Sequence, residues 1–234
     1  MLHRAKIWFT EGLFVERVFK LVTWQVVRGV QSVSGRLVSH PWALEKLHFY
    51  RAFRANPKGI GAIAPSSVAL GRAITREIDP DAGPVIELGA GTGVFTRALI
   101  KRGLPEAELA LVEMDPHFAL KLARDFPDAQ HFTMDAAKLD RCELFDGRQA
   151  ASVVCGLPLL NMPIKQQLGI LRAAFFHLRS GGAFYLFTYG LHCPVNRRVL
   201  ERLGLRARKV NLVLGNIPPA HVWKVNRRGP HLGR

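Results

Sequence analysis

The sequence predicts an α/β fold with a mostly parallel sheet, on three observations. Between residues 85 and 188, short apolar runs suited to buried strands alternate with stretches of helical periodicity. The first run, Val85-Ile86-Glu87-Leu88, breaks into glycines at positions 89, 91 and 93, and a helical pattern follows at once. Acidic side chains, Glu87, Glu113 and Asp135, recur at or just past the ends of successive strands. In open α/β sheets that edge is where ligands bind.

The elements follow in order. Pro65-Ser66-Ser67 reads as a loop ending in a cap for an apolar-periodic helix that runs to Ile78. After the first strand, Gly89, Gly91 and Gly93 let the chain turn sharply and bring backbone close to a ligand, with no Cβ in the way. Residues 94–100 form the next helix. Leu109-Ala110-Leu111-Val112 is the second strand, closing on Glu113-Met114-Asp115, about 20 residues past the glycines. Pro116 opens a helix over residues 116–126. Residues 130–134 make a third short strand ending in Asp135-Ala136, and residues 152–155 a fourth that runs into Gly156-Leu157-Pro158-Leu159-Leu160-Asn161-Met162-Pro163. A helix over residues 164–178 and a turn at Ser180-Gly181-Gly182 lead to a fifth strand at 183–188. Residues 207–214 and 221–227 close the sheet as an antiparallel pair around Asn216-Ile217-Pro218-Pro219.

The glycine spacing selects among ligands. A dinucleotide fingerprint needs G-x-G-x-x-G, and Val94 stands where its third glycine belongs. A phosphate-cradling loop needs Gly-Lys-Ser/Thr, and none follows. The pattern Glu87-Leu88-Gly89-Ala90-Gly91-Thr92-Gly93 instead resembles motif I of the class I S-adenosylmethionine-dependent methyltransferases. That resemblance implies a Rossmann-like sheet with S-adenosyl-L-methionine as cofactor and S-adenosylhomocysteine as product. It places Glu87, Gly89, Ala90, Gly91, Thr92 and Gly93 against the cofactor. Glu113 would meet the ribose hydroxyls with Met114 beside it, Asp135 and Ala136 the adenine, and Gly156 closes the set.

Composition sets bounds. At 234 residues, 48% of them hydrophobic, the chain fits one domain with an extension. We expect a helical docking extension over residues 1–58, a methyltransferase domain over 59–228 and a tail over 229–234. Cys142, Cys155 and Cys193 form neither a metal-binding spacing nor a disulfide framework, which favours a reducing compartment. The net charge of +15 sits at the two ends. Residues 1–60 hold 10 Lys+Arg against 3 Asp+Glu, residues 61–190 hold 13 against 14, and residues 191–234 hold 10 against 1. Basic flanks imply an anionic partner, nucleic acid or an acidic membrane surface.

The first 33 residues lean toward membrane. At helical spacing, Ile7, Trp8, Phe14, Val18, Val22 and Val26 fall on one broad face, and Lys6, Glu16, Arg17, Lys20, Arg28 and Gln31 fall opposite, with Phe9, Leu13, Trp24 and Val27 interrupting the polar face and Glu11 the apolar one. Charges recur too often for a bilayer span or a signal peptide. An amphipathic helix lying in the interface fits, as does one packed on the domain or on another chain. A second amphipathic stretch, residues 42–53, carries Lys46, His48 and Arg51 among Leu44, Leu47, Phe49, Tyr50 and Phe53.

Several motifs together narrow the resemblance. Gly61-Ala62-Ile63-Ala64-Pro65-Ser66-Ser67, the glycine loop through Thr96, Gly156-Leu157-Pro158-Leu159, Phe187-Thr188-Tyr189-Gly190 and Asn216-Ile217-Pro218-Pro219-Ala220 are similar to bacterial phospholipid N-methyltransferases related to rRNA adenine dimethylases. This implies stepwise methylation of phosphatidylethanolamine to phosphatidylcholine by an enzyme docked on the cytoplasmic face of the bacterial membrane. Leu157, Pro158 and Asn161 then fall on the acceptor side. A carbonyl of residues 156–158, the Asn161 side chain or the Tyr189 hydroxyl would take hydrogen bonds from the acceptor amine. Tyr189, or as less favoured candidates Tyr50 or Phe53, would offer an aromatic face to methylated ammonium groups. His131 and His221 read as structural. An RNA adenine N6-methyltransferase is the alternative enzyme, using the basic flanks on phosphates. Nucleic acid is the less favoured partner, because no aromatic stands beside Pro158 to stack on a base. A third reading is a membrane-binding protein that keeps the cofactor fold without catalysis.

Overall fold

Strand β1 (Val85–Leu88) is buried along its whole length, with neighbours on both edges and side chains packed on both faces. That is why four successive residues can be apolar or fully enclosed rather than alternating. The computed structural model describes residues 68–214 and 219–229. The N-terminal amphipathic stretches, the Pro65-Ser66-Ser67 cap, most of the Asn216–Pro219 turn and the end of the tail lie outside the described residues.

Helix α1 (Val68–Thr75) precedes β1, α2 (Val94–Lys101) follows it, and β2 (Leu109–Val112), α3 (Pro116–Asp125), β3 (Gln130–Phe132) and β4 (Ala150–Cys155) come next. Then α4 (Ile164–His177), β5 (Leu178–Thr188), α5 (Arg197–Arg202), β6 (Leu205–Val213) and β7 (Ala220–Arg227) complete the chain. Seven strands form one sheet in the order β3-β2-β1-β4-β5-β7-β6, all parallel except β7. The predicted closing antiparallel pair is present, and β7 lies between β5 and β6. Strand order reverses between β1 and β4, which opens a crevice at their carboxyl ends.

Two apolar layers flank the sheet. Val85, Leu109, Leu111, Val154 and Tyr185 face α1 and α2 with Leu70, Ile74, Phe95 and Leu99. Ile86, Leu88, Val153, Phe184 and Leu186 face α4 with Ile170, Leu171 and Ala174. Local signals set the boundaries. Asp115 caps α3, its Oδ1 accepting from the His117 and Phe118 N–H groups, and Pro116 occupies the first turn. Asn196 caps α5 in the same way.

One predicted boundary is corrected. The turn expected at Ser180-Gly181-Gly182 lies inside β5, because α4 passes into β5 with no intervening loop. The glycines instead bulge the strand. Ala150 pairs with Leu178, whereas Ser152 already pairs with Ala183, and Gly181 sits at φ +74°. Arg227 secures the bulge: its guanidinium donates to the Phe175, Leu178 and Arg179 carbonyls and stacks on the Phe175 ring. The third strand also ends earlier than expected, at Phe132. Among the described residues no helix is long and apolar enough to cross a membrane.

Candidate functional site

The glycine loop is held from three sides. Gly89, Gly91 and Gly93 have φ of +70°, +53° and +77°, conformations that a side chain strains. The Gly89 N–H donates to the Val112 carbonyl at 2.8 Å, which ties the loop to the end of β2. The Gly91 N–H donates to Glu113 Oε2 at 2.8 Å, while Glu113 Oε1 accepts from the Asp115 N–H at 2.9 Å. A Cβ on Gly93 would fall 2.7 Å from the Phe126 ring, and one on Gly89 would fall 2.6 Å from Leu157 Cδ2. At Gly91 nothing lies within 4 Å, so the loop's middle faces open space.

Glu87 lies at the base of this loop. It is fully buried, turned toward α2, where Thr96 Oγ1 donates to its Oε2 at 2.6 Å. Its Oε1 is buried without a hydrogen-bond partner in the described protein. Loss of water pushes the Glu87 carboxyl up to about 8, against the opposing pull of the Thr96 hydrogen bond and the Arg97 charge. Thr96 was not singled out from sequence. Its signal was a hydroxyl on the apolar face of α2, flanked there by Phe95 and Leu99.

The remaining cofactor-side residues surround the same crevice. Met114 is exposed just past β2. Asp135 caps a short 3-10 turn over Ala136–Arg141, its Oδ1 accepting from the Ala137 N–H at 2.9 Å, and Ala136 is buried. Thr92 is exposed at the loop's tip, its carbonyl accepting from Arg97. Ala90 is buried below it. The Gly156 N–H donates to the Leu88 carbonyl at 2.8 Å, which binds the ends of β1 and β4 together across the reversal.

The residues expected on the acceptor side lie on the loops after β4 and β5. Leu157 packs on Gly89, so the loop after β4 touches the glycine loop directly. Pro158 is half-buried, Leu159 is buried, and Asn161 is exposed at the end of the 3-10 turn Leu159–Asn161. Gln167, on the first turns of α4, is buried with its amide fully used. Its Nε2 donates to the carbonyls of Leu159 at 2.7 Å and Met162 at 3.2 Å, and its Oε1 accepts from the Asn196 N–H at 2.8 Å. One side chain thus fixes the loop after β4 to the segment after β5. Sequence reading passed over it, although a glutamine sharing a helix face with Ile170 and Leu171 is itself a signal. Tyr189 follows β5, half-buried and edge-on to Phe187 at 5.6 Å, with Phe187 in turn edge-on to Phe95 at 5.9 Å. Asn161 and Tyr189 stand on separate loops.

Other polar groups lie near these loops. His131 Nε2 contacts the Phe126 carbonyl at 2.8 Å. Cys155, buried at the end of β4, has its thiol pushed up to about 12 by loss of water and stays neutral. Burial and the Lys209 charge hold His221 below the ordinary histidine range. Among the described residues no cluster of His, Cys, Asp or Glu could hold a metal ion.

The donor set fits S-adenosylmethionine. An unpartnered buried carboxylate oxygen suits a cationic, hydrogen-bond-donating ligand. Glu113 uses only two of its roughly four lone-pair positions on backbone, which leaves capacity for a diol. The space beside Gly91 is open to receive it.

Comparison with known proteins agrees. No protein-family model matches the chain. The ornithine lipid N-methyltransferase of Singulisphaera acidiphila is 32% identical over 145 residues, a match that covers 60% of this chain and 76% of that protein. Among solved structures, the glycopeptide N-methyltransferase MtfA bound to S-adenosyl-L-methionine superposes with a TM-score of 0.54 at 14% identity, covering 69% of this chain and 94% of that one. A TehB-like S-adenosylmethionine-dependent methyltransferase from Corynebacterium glutamicum gives 0.52 at 15% identity, covering 80% and 100%. These structural likenesses establish the fold. With the relative's identity and coverage, they show that this chain belongs to the class I S-adenosylmethionine-dependent methyltransferases, in the family that includes the ornithine lipid N-methyltransferase.

Proposed function

We propose that the chain methylates the head-group amine of a membrane lipid, converting phosphatidylethanolamine stepwise to phosphatidylcholine from the cytoplasmic face of a bacterial membrane. The observation that carries this reading is the mouth of the acceptor side. Residues 156–163 hold no charged and no aromatic side chain. Such a mouth suits an amine displayed above acyl chains better than a base that must be stacked. The relative's name, a lipid N-methyltransferase, supports the same substrate class. It also favours a second reading within that class, an ornithine lipid as acceptor.

Bound in the crevice, the cofactor supplies an electrophilic methyl group on a sulfonium. The chain's part is to hold an amine in line with that methyl and keep water away. A head-group ammonium gives up one proton to bulk water before attack, and the neutral amine then needs hydrogen-bond acceptors when it arrives. Backbone carbonyls of residues 156–158, the exposed Asn161 side chain and the Tyr189 hydroxyl are the candidates. Once the amine carries methyls it can no longer donate as many hydrogen bonds, and the Tyr189 ring offers the remaining attraction.

The test is methyl transfer from a labelled donor to separate pools of phosphatidylethanolamine vesicles, ornithine-lipid vesicles and RNA. Label in phosphatidylethanolamine supports the first reading, and label in ornithine lipid alone moves the substrate to the second. Label confined to RNA overturns both.

A further inference from the structure

We infer that the half of the sheet's carboxyl edge formed by the ends of β4, β5 and β6 is a lipid-docking surface, where aliphatic side chains enter the bilayer interface and neighbouring cations meet lipid phosphates. The inference rests on the lipid reading above and gives it a surface.

The first observation is where the exposed apolar side chains lie. Ten large hydrophobic residues among the described ones are exposed. Six of them, Val68, Leu160, Ile164, Leu191, Leu212 and Leu214, stand around this one region, between 45% and 72% exposed. Leu160 and Ile164 bracket the passage from β4 into α4, and Leu191 follows β5. Leu212 and Leu214 end β6, which runs parallel to β5 because both pair antiparallel with β7. Val68 opens α1, whose chain leads away from this edge toward the start of β1. Scattered exposed leucines need no explanation, but a group ringing the acceptor mouth does.

The second observation is charge. Residues 147–234 hold 14 Lys+Arg and a single acid, Glu201, whereas residues 68–146 hold 9 Lys+Arg against 14 Asp+Glu. The excess of cations therefore lies in the segment that carries the acceptor loops, although Arg148, Arg172, Arg197, Arg208 and Lys224 are ion-paired with Glu108, Asp140, Glu201 and Glu77. Lys165, Arg197 and Arg198 are exposed at the starts of α4 and α5, on the same edge as the leucines. Aliphatic insertion ringed by cations is the chemistry of an anionic bilayer interface. RNA would instead call for aromatic platforms, and none of the six is aromatic.

The geometry also explains how the substrate arrives. An amine anchored by acyl chains reaches the crevice only if the edge that bears the crevice faces the bilayer. Docking by this edge presents head groups to Tyr189 and the loop after β4 without lifting the lipid out of the membrane.

The test uses the full chain and vesicles of phosphatidylglycerol and phosphatidylcholine. Leu191→Asp with Leu214→Asp is compared with wild type and with Leu120→Asp, which alters an exposed leucine on the outer side of α3. A second pair, Leu160→Asp with Ile164→Asp, repeats the measurement on another loop. Each pair is expected to weaken vesicle partitioning roughly a hundredfold, about tenfold per side chain withdrawn from the interface. Leu120→Asp should stay within about twofold, with cofactor affinity and the thermal midpoint unchanged in all three. For the Leu191 and Leu214 pair, which lies outside residues 156–163, transfer to a monomeric short-chain lipid should persist while transfer to vesicles falls. Unchanged partitioning of both pairs overturns the inference, as does an equal loss in Leu120→Asp. A dimer dispersed by the pairs with vesicle binding intact gives the surface to a second copy. RNA binding lost with vesicle binding intact gives it to nucleic acid. Failure of the substrate reading is separate: if no lipid is ever methylated but the pairs still lose vesicles, the surface stands without that substrate.

Discussion

Glu87 offers a direct physical test of the site. Its carboxyl is fully enclosed and its pKa is pushed up to about 8 from 4.5, chiefly because burial penalises the anion. The folded protein therefore holds this proton more tightly than the unfolded chain does. The stability from the protonated group is complete below pH 4.5, declines as pH rises, and is exhausted above about pH 8. The whole interval corresponds to roughly 5 kcal/mol at most, since each pH unit between the two values is worth about 1.4 kcal/mol. Glu87→Gln keeps an acceptor for Thr96 and removes the titration. In cofactor-free protein, melting temperatures of wild type and variant should converge near pH 5 and separate by several degrees or more at pH 8, with the variant higher. A gap that stays constant across this range would refute a buried, proton-holding Glu87.

The same residue couples cofactor binding to protons. A cationic ligand beside Oε1 favours the carboxylate and draws the pKa down. Binding at pH 7 should then release a proton, and affinity should rise with pH up to about 8. Calorimetry in two buffers of different ionisation enthalpy measures the release. Its persistence in Glu87→Gln would assign the proton to another group.

Glu113→Ala should weaken S-adenosylhomocysteine affinity about a hundredfold or more in calorimetry. It removes the ribose acceptor and also frees Gly91 and Asp115 from charge-assisted hydrogen bonds worth roughly 1.5–3 kcal/mol each. Gly89→Ala should cost about 1–2 kcal/mol from its positive φ and displace Leu157, lowering turnover and thermal midpoint together. Gln167→Leu should lower turnover at least tenfold while cofactor affinity stays within about twofold, because it strands the Leu159 and Met162 carbonyls and the Asn196 N–H. Unchanged turnover there would remove Gln167 as the organiser of the acceptor loop. Removing residues 1–33 should reduce sedimentation with anionic vesicles and leave cofactor affinity intact. Equal sedimentation would dismiss the interfacial role of that segment.

The sheet was legible because its central strands are enclosed on both faces and therefore read as unbroken apolar runs. The glycine spacing and the acids at 87, 113 and 135 located the crevice for a related reason: special backbone angles and strand ends leave local marks. Contacts between distant segments leave fainter ones. Nothing near Gln167 indicates that its amide joins segments on either side of β5, and nothing near Glu113 indicates that it clamps Gly91. The Ser180-Gly181-Gly182 misreading has a similar origin. Two glycines announce a sharp backbone turn, but whether the chain leaves the sheet depends on Arg227 and Asn226, more than 40 residues away.

The placement of β7 between β5 and β6 constrains how the domain can be made. A ribosome delivers β7 after both of the strands it separates, so β6 cannot join the sheet while it emerges. Until Ala220–Arg227 is translated, β5 carries a naked edge whose unpaired amides invite other chains. A nonsense codon at the start of β7 would therefore produce a sticky intermediate rather than a slightly shortened enzyme, despite sparing the glycine loop and the acids at the strand ends.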